Sequence, residues 1–364
     1  MGCTSPLYRI PLGCSSVCAL NYEELRRAKN GGVLFFDYDY VLSLKARPGI
    51  NEDDIQVLPC GQCRSCRLAR SKEWAIRLSL EAERHDHNYF VTLTYDDYHL
   101  PRGEFVDYSG DVWESNLCKS DVQKFLKKLR KFEVSQGNVD DVGRCKVRVF
   151  YCGEYGDQNG RPHYHLILMG CTNIPDLVYN FTKGKYKYYK SPLYEGFWSE
   201  GREGCPRGFV DITEASFDNM AYTARYVMKK IGGQAAKEFR EIYESMDPEL
   251  RPDVRLQPFV NMSLNPAIAL DYYVENRLAI REEDLVKYQK KYKLFKSRPP
   301  RYFDKLFESE DLKGYKALKE RRKRAGIASK RFRATRFSES ERSRMLREDQ
   351  MLKSKMEKCY VRSL

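Results

Sequence analysis

The segment Gly160-Arg-Pro-His163-Tyr164-His165-Leu-Ile-Leu-Met169 carries two imidazoles separated by one residue. On a strand, alternate residues share a face, so His163 and His165 point together while Tyr164, Leu166 and Leu168 point away. The chain has five histidines, and two on one strand face just after a turn signal can chelate one divalent ion. The plainer alternative is two unrelated histidines on a strand. Glu154 ends the run before the turn. If residues 146–154 pair antiparallel with 163–170, its carboxylate comes close to His163 at the hairpin mouth. Two nitrogens and one oxygen, with positions left open for phosphate oxygens, suit Mg²⁺ or Mn²⁺. Read alone, Glu154 is an ordinary solvated carboxylate at a strand end.

A second constellation is Ala221-Tyr222-Thr-Ala-Arg225-Tyr226-Val-Met-Lys229-Lys230. Tyr222 and Tyr226 stand at i and i+4, hence on one face of a helix. Two tyrosines so spaced are either a packing pair or two nucleophiles. In the second case a phenol attacks phosphorus and holds the 5′ phosphate as a diester that conserves bond energy for rejoining. Lys229 or Lys230, one turn further on, could stabilise the phenolate or hold the phosphate charge. A third group, Cys60-Gly-Gln-Cys63-Arg-Ser-Cys66, is a C-x2-C-x2-C run without the second pair that marks a zinc site. A fourth ligand from Cys14 or Cys18, and reduced thiols at a helix start, both remain open.

The elements needed to position these groups are legible around them. Asn88 to Tyr95, NYFVTLTY, is β-branched and aromatic, a strand by composition. Asp121 to Phe132 sets Val122, Phe125, Leu126 and Leu129 on one helical face, with Ser120 as its expected N-cap. Lys146–Glu154 and His163–Met169 flank a strong turn, Gly156 to Pro162, and read as a β-hairpin. Arg67–Arg84 and Ser216–Ile231 read as helices, the second ended by Gly232-Gly233. Gly208–Ile212 is a further short strand. The first ~55 residues look irregular, with Val33 to Leu42 suited to a hairpin strand or two.

Lys and Arg number 64 against 51 Asp and Glu, a net charge of +13 with pI near 9.0. That balance fits either a polyanionic partner or a soluble basic protein. The 26 Tyr and 18 Phe favour the former, since bases stack on rings while phosphates pair with cations. Twenty basic against ten acidic residues from Arg301 to Leu364 put +10 of the charge in a basic, helical or partly disordered arm. No stretch has the ~20 apolar residues of a membrane span, so no membrane partner is expected. The start lacks a basic region followed by an apolar core, so a signal peptide is not expected either. Twelve unevenly spread cysteines read as reduced thiols.

His-hydrophobe-His, the upstream strand FVTLTY and the later Tyr-x-x-x-Tyr-x-x-Lys resemble the three motifs of HUH replication initiators. CGQCRSCRLARSKEWAIR, GEYGDQNGRPHYH, FWSEGREGCPRGFVDI and YTARYVMKK narrow the resemblance to the initiators of gokushoviruses, a branch of the microviruses, over residues 58–232. The resemblance implies an α+β fold, a central antiparallel sheet with flanking helices, here extended by a helical basic C-terminal segment. It puts Thr92 and Thr94 on a structural first motif, His163, His165 and Glu154 on the metal, and Tyr222, Tyr226 and Lys229 or Lys230 on the nucleophile helix. The expected organisation is an irregular N-terminal extension at 1–57, an endonuclease domain at 58–235, a segment packed on the core at 236–300 and the basic arm at 301–364. The implied activity is metal-dependent nicking of single-stranded origin DNA to start rolling-circle replication in the host bacterial cytoplasm, with host polymerase and helicase as partners. Two rivals are an HUH relaxase or transposase and a non-catalytic nucleic-acid-binding protein. Relaxases usually carry the tyrosine before the histidines, the reverse of the order here.

Overall fold

A computed structural model describes residues 6–361 apart from 27, 30–31, 36–37, 62, 108, 157–158, 201–203, 226–233, 250, 252, 291–292 and 337–340. The chain divides into two compact units: Met1–Ala69 with Arg322–Leu364, and Arg70–Arg321.

The larger unit is a mixed α/β body around a seven-stranded sheet. Its strands are β1 (Asn88–Tyr95), β2 (Arg148–Tyr155), β3 (Pro162–Met169), β4 (Val178–Lys183), β5 (Tyr186–Lys190), β6 (Gly208–Glu214) and β7 (Phe259–Met262). They lie in the order β4-β5-β6-β1-β3-β2-β7, every neighbouring pair antiparallel. The helices used below are α1 (Arg64–Ala82), α2 (Lys119–Ser135), α3 (Pro192–Phe197), α4 (Phe217–Arg225), α5 (Leu270–Glu283), α6 (Arg301–Glu310), α7 (Leu312–Arg336) and α8 (Glu341–Val361).

Alternation along the strands makes two cores. Tyr89, Val91, Leu93 and Tyr95 of β1, with Tyr164, Leu166 and Leu168 of β3, pack against Val122, Phe125, Leu126 and Leu129 of α2. The opposite face buries Phe90, Phe150, Ile167 and Met169 under Ile76, Leu78 and Leu80 of α1, Met220 of α4 and Tyr273 of α5. Gly208 stands where β6 closes on β1. Its φ is +142°, and a Cβ there would collide with the Thr94 carbonyl and the Asp96 amide, so glycine is required.

The hairpin, the strand Asn88–Tyr95 and the helices after Arg64 and around Asp121 and Ser216 form as the periodicities suggest. Several details differ. Ser120 is not the cap of α2; Cys118 holds that position without a side-chain cap, and the Ser120 hydroxyl contacts the Cys118 thiol at 3.1 Å. The N-terminal segment, expected to be irregular over 1–57, instead contributes a four-stranded sheet among its described residues: Ala28–Lys29, Gly32–Phe35, Leu7–Pro11 and Gln56–Leu58, in that spatial order. Tyr38–Lys45 is a helix, not a second hairpin strand, and its Val41 and Leu44 complete a core with Tyr8, Ile10, Val33 and Phe35. The basic arm is helical, but its first helix is no free extension. Phe303 and Phe307 of α6 are buried, and Tyr302 covers the Arg77 guanidinium at 4.1 Å, opposite Trp74 at 4.2 Å. Burial pushes that guanidinium down to about 10.

Candidate functional site

The β2–β3 register pairs Glu154 with His163 and Cys152 with His165, so the three sequence-selected groups share one sheet face at the hairpin mouth. Glu154 Oε1 lies 3.0 Å from His163 Nε2 and 3.0 Å from His165 Nε2. The carboxylate is 3% exposed, and His165 8%. Burial alone would raise the Glu154 pKa, but the hydrogen bonds to His163 and His165 outweigh it and hold the carboxyl well below the usual range.

Each ring is aimed from behind. His163 Nδ1 donates to the Arg161 carbonyl at 3.1 Å, within the turn closed by the Gly156 amide on that same carbonyl. His165 Nδ1 is 3.1 Å from the Thr92 hydroxyl on β1, and Phe90 stacks on the ring at 5.4 Å. Both nitrogens of His163 therefore face acceptors, a carbonyl and a carboxylate. A neutral imidazole has one N–H and can satisfy one of them. Positive charge at Nε2, as an extra proton or as a cation, satisfies the other. Two Nε2 atoms and a buried carboxylate, all within 4.8 Å, are thus a donor set that fits a divalent ion, with both Nδ1 positions supported by outer hydrogen bonds.

Tyr222 arrives from α4. Asn219 fixes the start of that helix: its side chain accepts from the Ser216 amide and donates to the Glu214 carbonyl at the end of β6. The Tyr222 hydroxyl reaches Glu154 Oε1 at 3.5 Å, and its ring meets His165 edge-on at 5.4 Å. Tyr226, Lys229 and Lys230 lie outside the described residues. Thr94 pairs with His163 across β1–β3, and Thr92 with His165, so Thr92 has a contact role in addition to its place in the central strand.

Sequence reasoning missed the continuation of this face. Phe209 of β6 pairs with Thr94, which pairs with His163, so the three share a face, and Phe209 is 54% exposed. Further out, Tyr189 pairs with Ile212, whose side chain belongs to the α2-side core, so the adjacent Tyr188 points to the histidine side. Tyr188 stacks on Phe181 of β4 at 4.7 Å, and exposed Lys183 lies on the same side, opposite Tyr186. The signal was present in the run Tyr179-Asn-Phe-Thr-Lys-Gly-Lys-Tyr-Lys-Tyr-Tyr189, where aromatic and basic residues interleave around a glycine turn.

Among the described residues no helix is long and apolar enough to cross a membrane. The family model described as replication-associated protein ORF2/G2P matches residues 88–231, the span holding the hairpin, β6 and α4. The chain is 32% identical to the replication-associated protein ORF2 of Spiroplasma virus 4 over 70% of its own length and 68% of that protein. It is 33% identical to the replication-associated protein ORF4 of Chlamydia phage 1 and 29% identical to the replication-associated protein VP4 of Bdellovibrio phage phiMH2K. Each of those two matches covers 48% of this chain, but only 38% and 48% of the respective relative, less than half of either. No solved structure matches. With two thirds of the Spiroplasma virus protein spanned at 32% identity, the chain belongs to the replication-associated protein family of the microviruses.

Proposed function

We propose that the protein is an HUH-type replication initiator that nicks single-stranded DNA at a phage origin and remains joined to the 5′ end through tyrosine. The observation that carries this reading is the convergence on Glu154 Oε1 of His163 Nε2 and His165 Nε2, each at 3.0 Å, and the Tyr222 hydroxyl at 3.5 Å. Glu154, His163 and His165 would hold Mg²⁺ or Mn²⁺, which when bound supplies Lewis-acid polarisation of the scissile phosphate. Tyr222 loses its hydroxyl proton and its oxygen attacks phosphorus. The P–O3′ bond breaks, the 3′ oxygen takes a proton, and the 5′ phosphate is retained as a tyrosine diester. The 3′-hydroxyl then primes a host polymerase, with a host helicase opening the duplex. Tyr226 serves as the second nucleophile that cleaves the regenerated origin and allows circle release, with Lys229 or Lys230 holding phosphate charge. Arg161 and Thr92 act by orienting the two rings.

The same sheet face supports single-stranded DNA as the substrate class. Phe209, Tyr188 and Phe181 offer rings for unstacked bases, and Lys183 a cation for the backbone, a combination that grips single strands with little demand on sequence. The nicking domain on this reading spans 58–235, and its place of action is the host bacterial cytoplasm.

The test is covalent-adduct formation on end-labelled oligonucleotides. Tyr222→Phe keeps the ring packing and removes only the attacking oxygen. Single variants Tyr222→Phe and Tyr226→Phe each retain one attachment, and the double variant forms none. An adduct in the double variant would remove the tyrosine assignment; one inactive and one wild-type single variant would leave a single nucleophile.

A further inference from the structure

Cys60, Cys63 and Cys66 lie far along the chain from the Glu154 cluster and take no part in the nicking reaction proposed above. Their three sulfurs lie within 4.8 Å of one another. Cys60 and Cys63 come from the loop before α1 and Cys66 from its first turn. The Cys63 amide donates to Cys60 Sγ at 3.2 Å, folding the loop back so that two sulfurs share one side. That fold uses Gly61 at φ +74°, and a Cβ there would meet nothing within 4 Å, so the glycine serves the backbone turn alone and makes no packing contact. No disulfide joins the described cysteines, and a bridge within this trio would leave an odd thiol. Cys14 and Cys18, the sequence candidates for a fourth ligand, are not in the cluster; the Cys14 thiol instead donates to the Pro11 carbonyl at 3.1 Å.

We propose that Cys60, Cys63 and Cys66 supply three of the four ligands of one structural zinc ion. Tetrahedral zinc with Zn–S bonds of about 2.3 Å sets its sulfurs about 3.8 Å apart, within the spread of this trio. A 4Fe–4S cluster attaches each thiolate to a different iron, and a 2Fe–2S cluster divides three thiolates between two irons, so either spreads the three sulfurs more widely than one zinc does. Hard ions such as Mg²⁺ are excluded by the ligand type. The start of a helix is also where the backbone amides favour negative charge, and three thiolates on a divalent ion leave a net −1. Arg64 and Arg67 follow Cys63 and Cys66 directly in the chain. The ion would tie the loop to the first turn of α1.

The full-length protein, produced with zinc supplied and dialysed against a chelating resin, is assayed for bound metal. One zinc per chain is expected in the wild type and also in His163→Ala/His165→Ala, and none in Cys63→Ser/Cys66→Ser. To keep the test independent of the serine variant's folding, the wild type is also loaded with Co²⁺, where a thiolate-to-cobalt charge-transfer band is expected. A zinc-free wild type, zinc retained by the serine variant, no charge-transfer band, or iron with acid-labile sulfide would each overturn the proposal.

Discussion

Glu154, His163 and His165 come from the paired ends of two strands, whereas Cys60, Cys63 and Cys66 come from a loop and the first turn of a helix. The first group presents two imidazole nitrogens, each ring oriented by a second hydrogen bond, and a carboxylate oxygen with a tyrosine hydroxyl beside it. The second presents three sulfurs with no nucleophile of the reaction nearby in the chain. Ligand hardness would separate the ions they select on the two proposals: oxygen and imidazole suit an exchangeable divalent ion, and thiolate suits one that stays. On the two proposals above, the difference teaches that donor chemistry alone can assign an exchangeable ion to one group and a permanent one to the other.

The largest effect expected on this contrast comes from His163→Ala or His165→Ala. Losing several kcal/mol of charge stabilisation lowers nicking by on the order of 10³-fold, while bound zinc and single-stranded DNA affinity persist. After EDTA, Mg²⁺ or Mn²⁺ restores nicking. Recovery with Zn²⁺ alone, or near wild-type nicking in either histidine variant, would erase the distinction between the two sites.

Thr92→Val sharpens it. The substitution keeps the shape of the side chain and removes the partner of His165 Nδ1, so the Mn²⁺ concentration needed for half-maximal nicking should rise about 10- to 100-fold. Zinc content should not move. An unchanged Mn²⁺ requirement would mean that Phe90 stacking alone orients the ring.

The smallest effects belong to the outer strip. Phe181→Ala should weaken single-stranded DNA binding by about 1 kcal/mol, roughly fivefold, at unchanged salt dependence. Lys183→Gln should instead flatten the log–log salt slope by ~0.7, one phosphate contact on a single strand. A strip that does not touch DNA would leave both quantities at wild-type values.

The hairpin that brings Glu154, His163 and His165 together was legible because everything it needs is local. A turn, an alternating strand and a carboxylate nine residues before the first histidine fix the register without distant information. Tyr222 was legible as a helical residue, but its distance to Glu154 depends on how α4 docks, which Met220 helps decide through core contacts far along the chain. The N-terminal sheet escaped notice because its strands are two to five residues long, too short for a period to emerge, and its core residues are scattered from Tyr8 to Leu44. In the arm, composition masked Phe303 and Phe307. Two buried rings at helical spacing outweigh the charges around them in deciding where that helix goes. The three cysteines were legible as a pattern but not as a site, since only the turn at Gly61 reveals that the sulfurs converge.

Glu154 and His165 are eleven positions apart, whereas Tyr222 follows Glu154 by sixty-eight. A ribosome therefore finishes the ligand-bearing hairpin well before it adds the phenol. During that interval the growing polypeptide has its complete ligand set and lacks Tyr222. On the proposed reading, chain order thus supplies the candidate ligands before the candidate nucleophile.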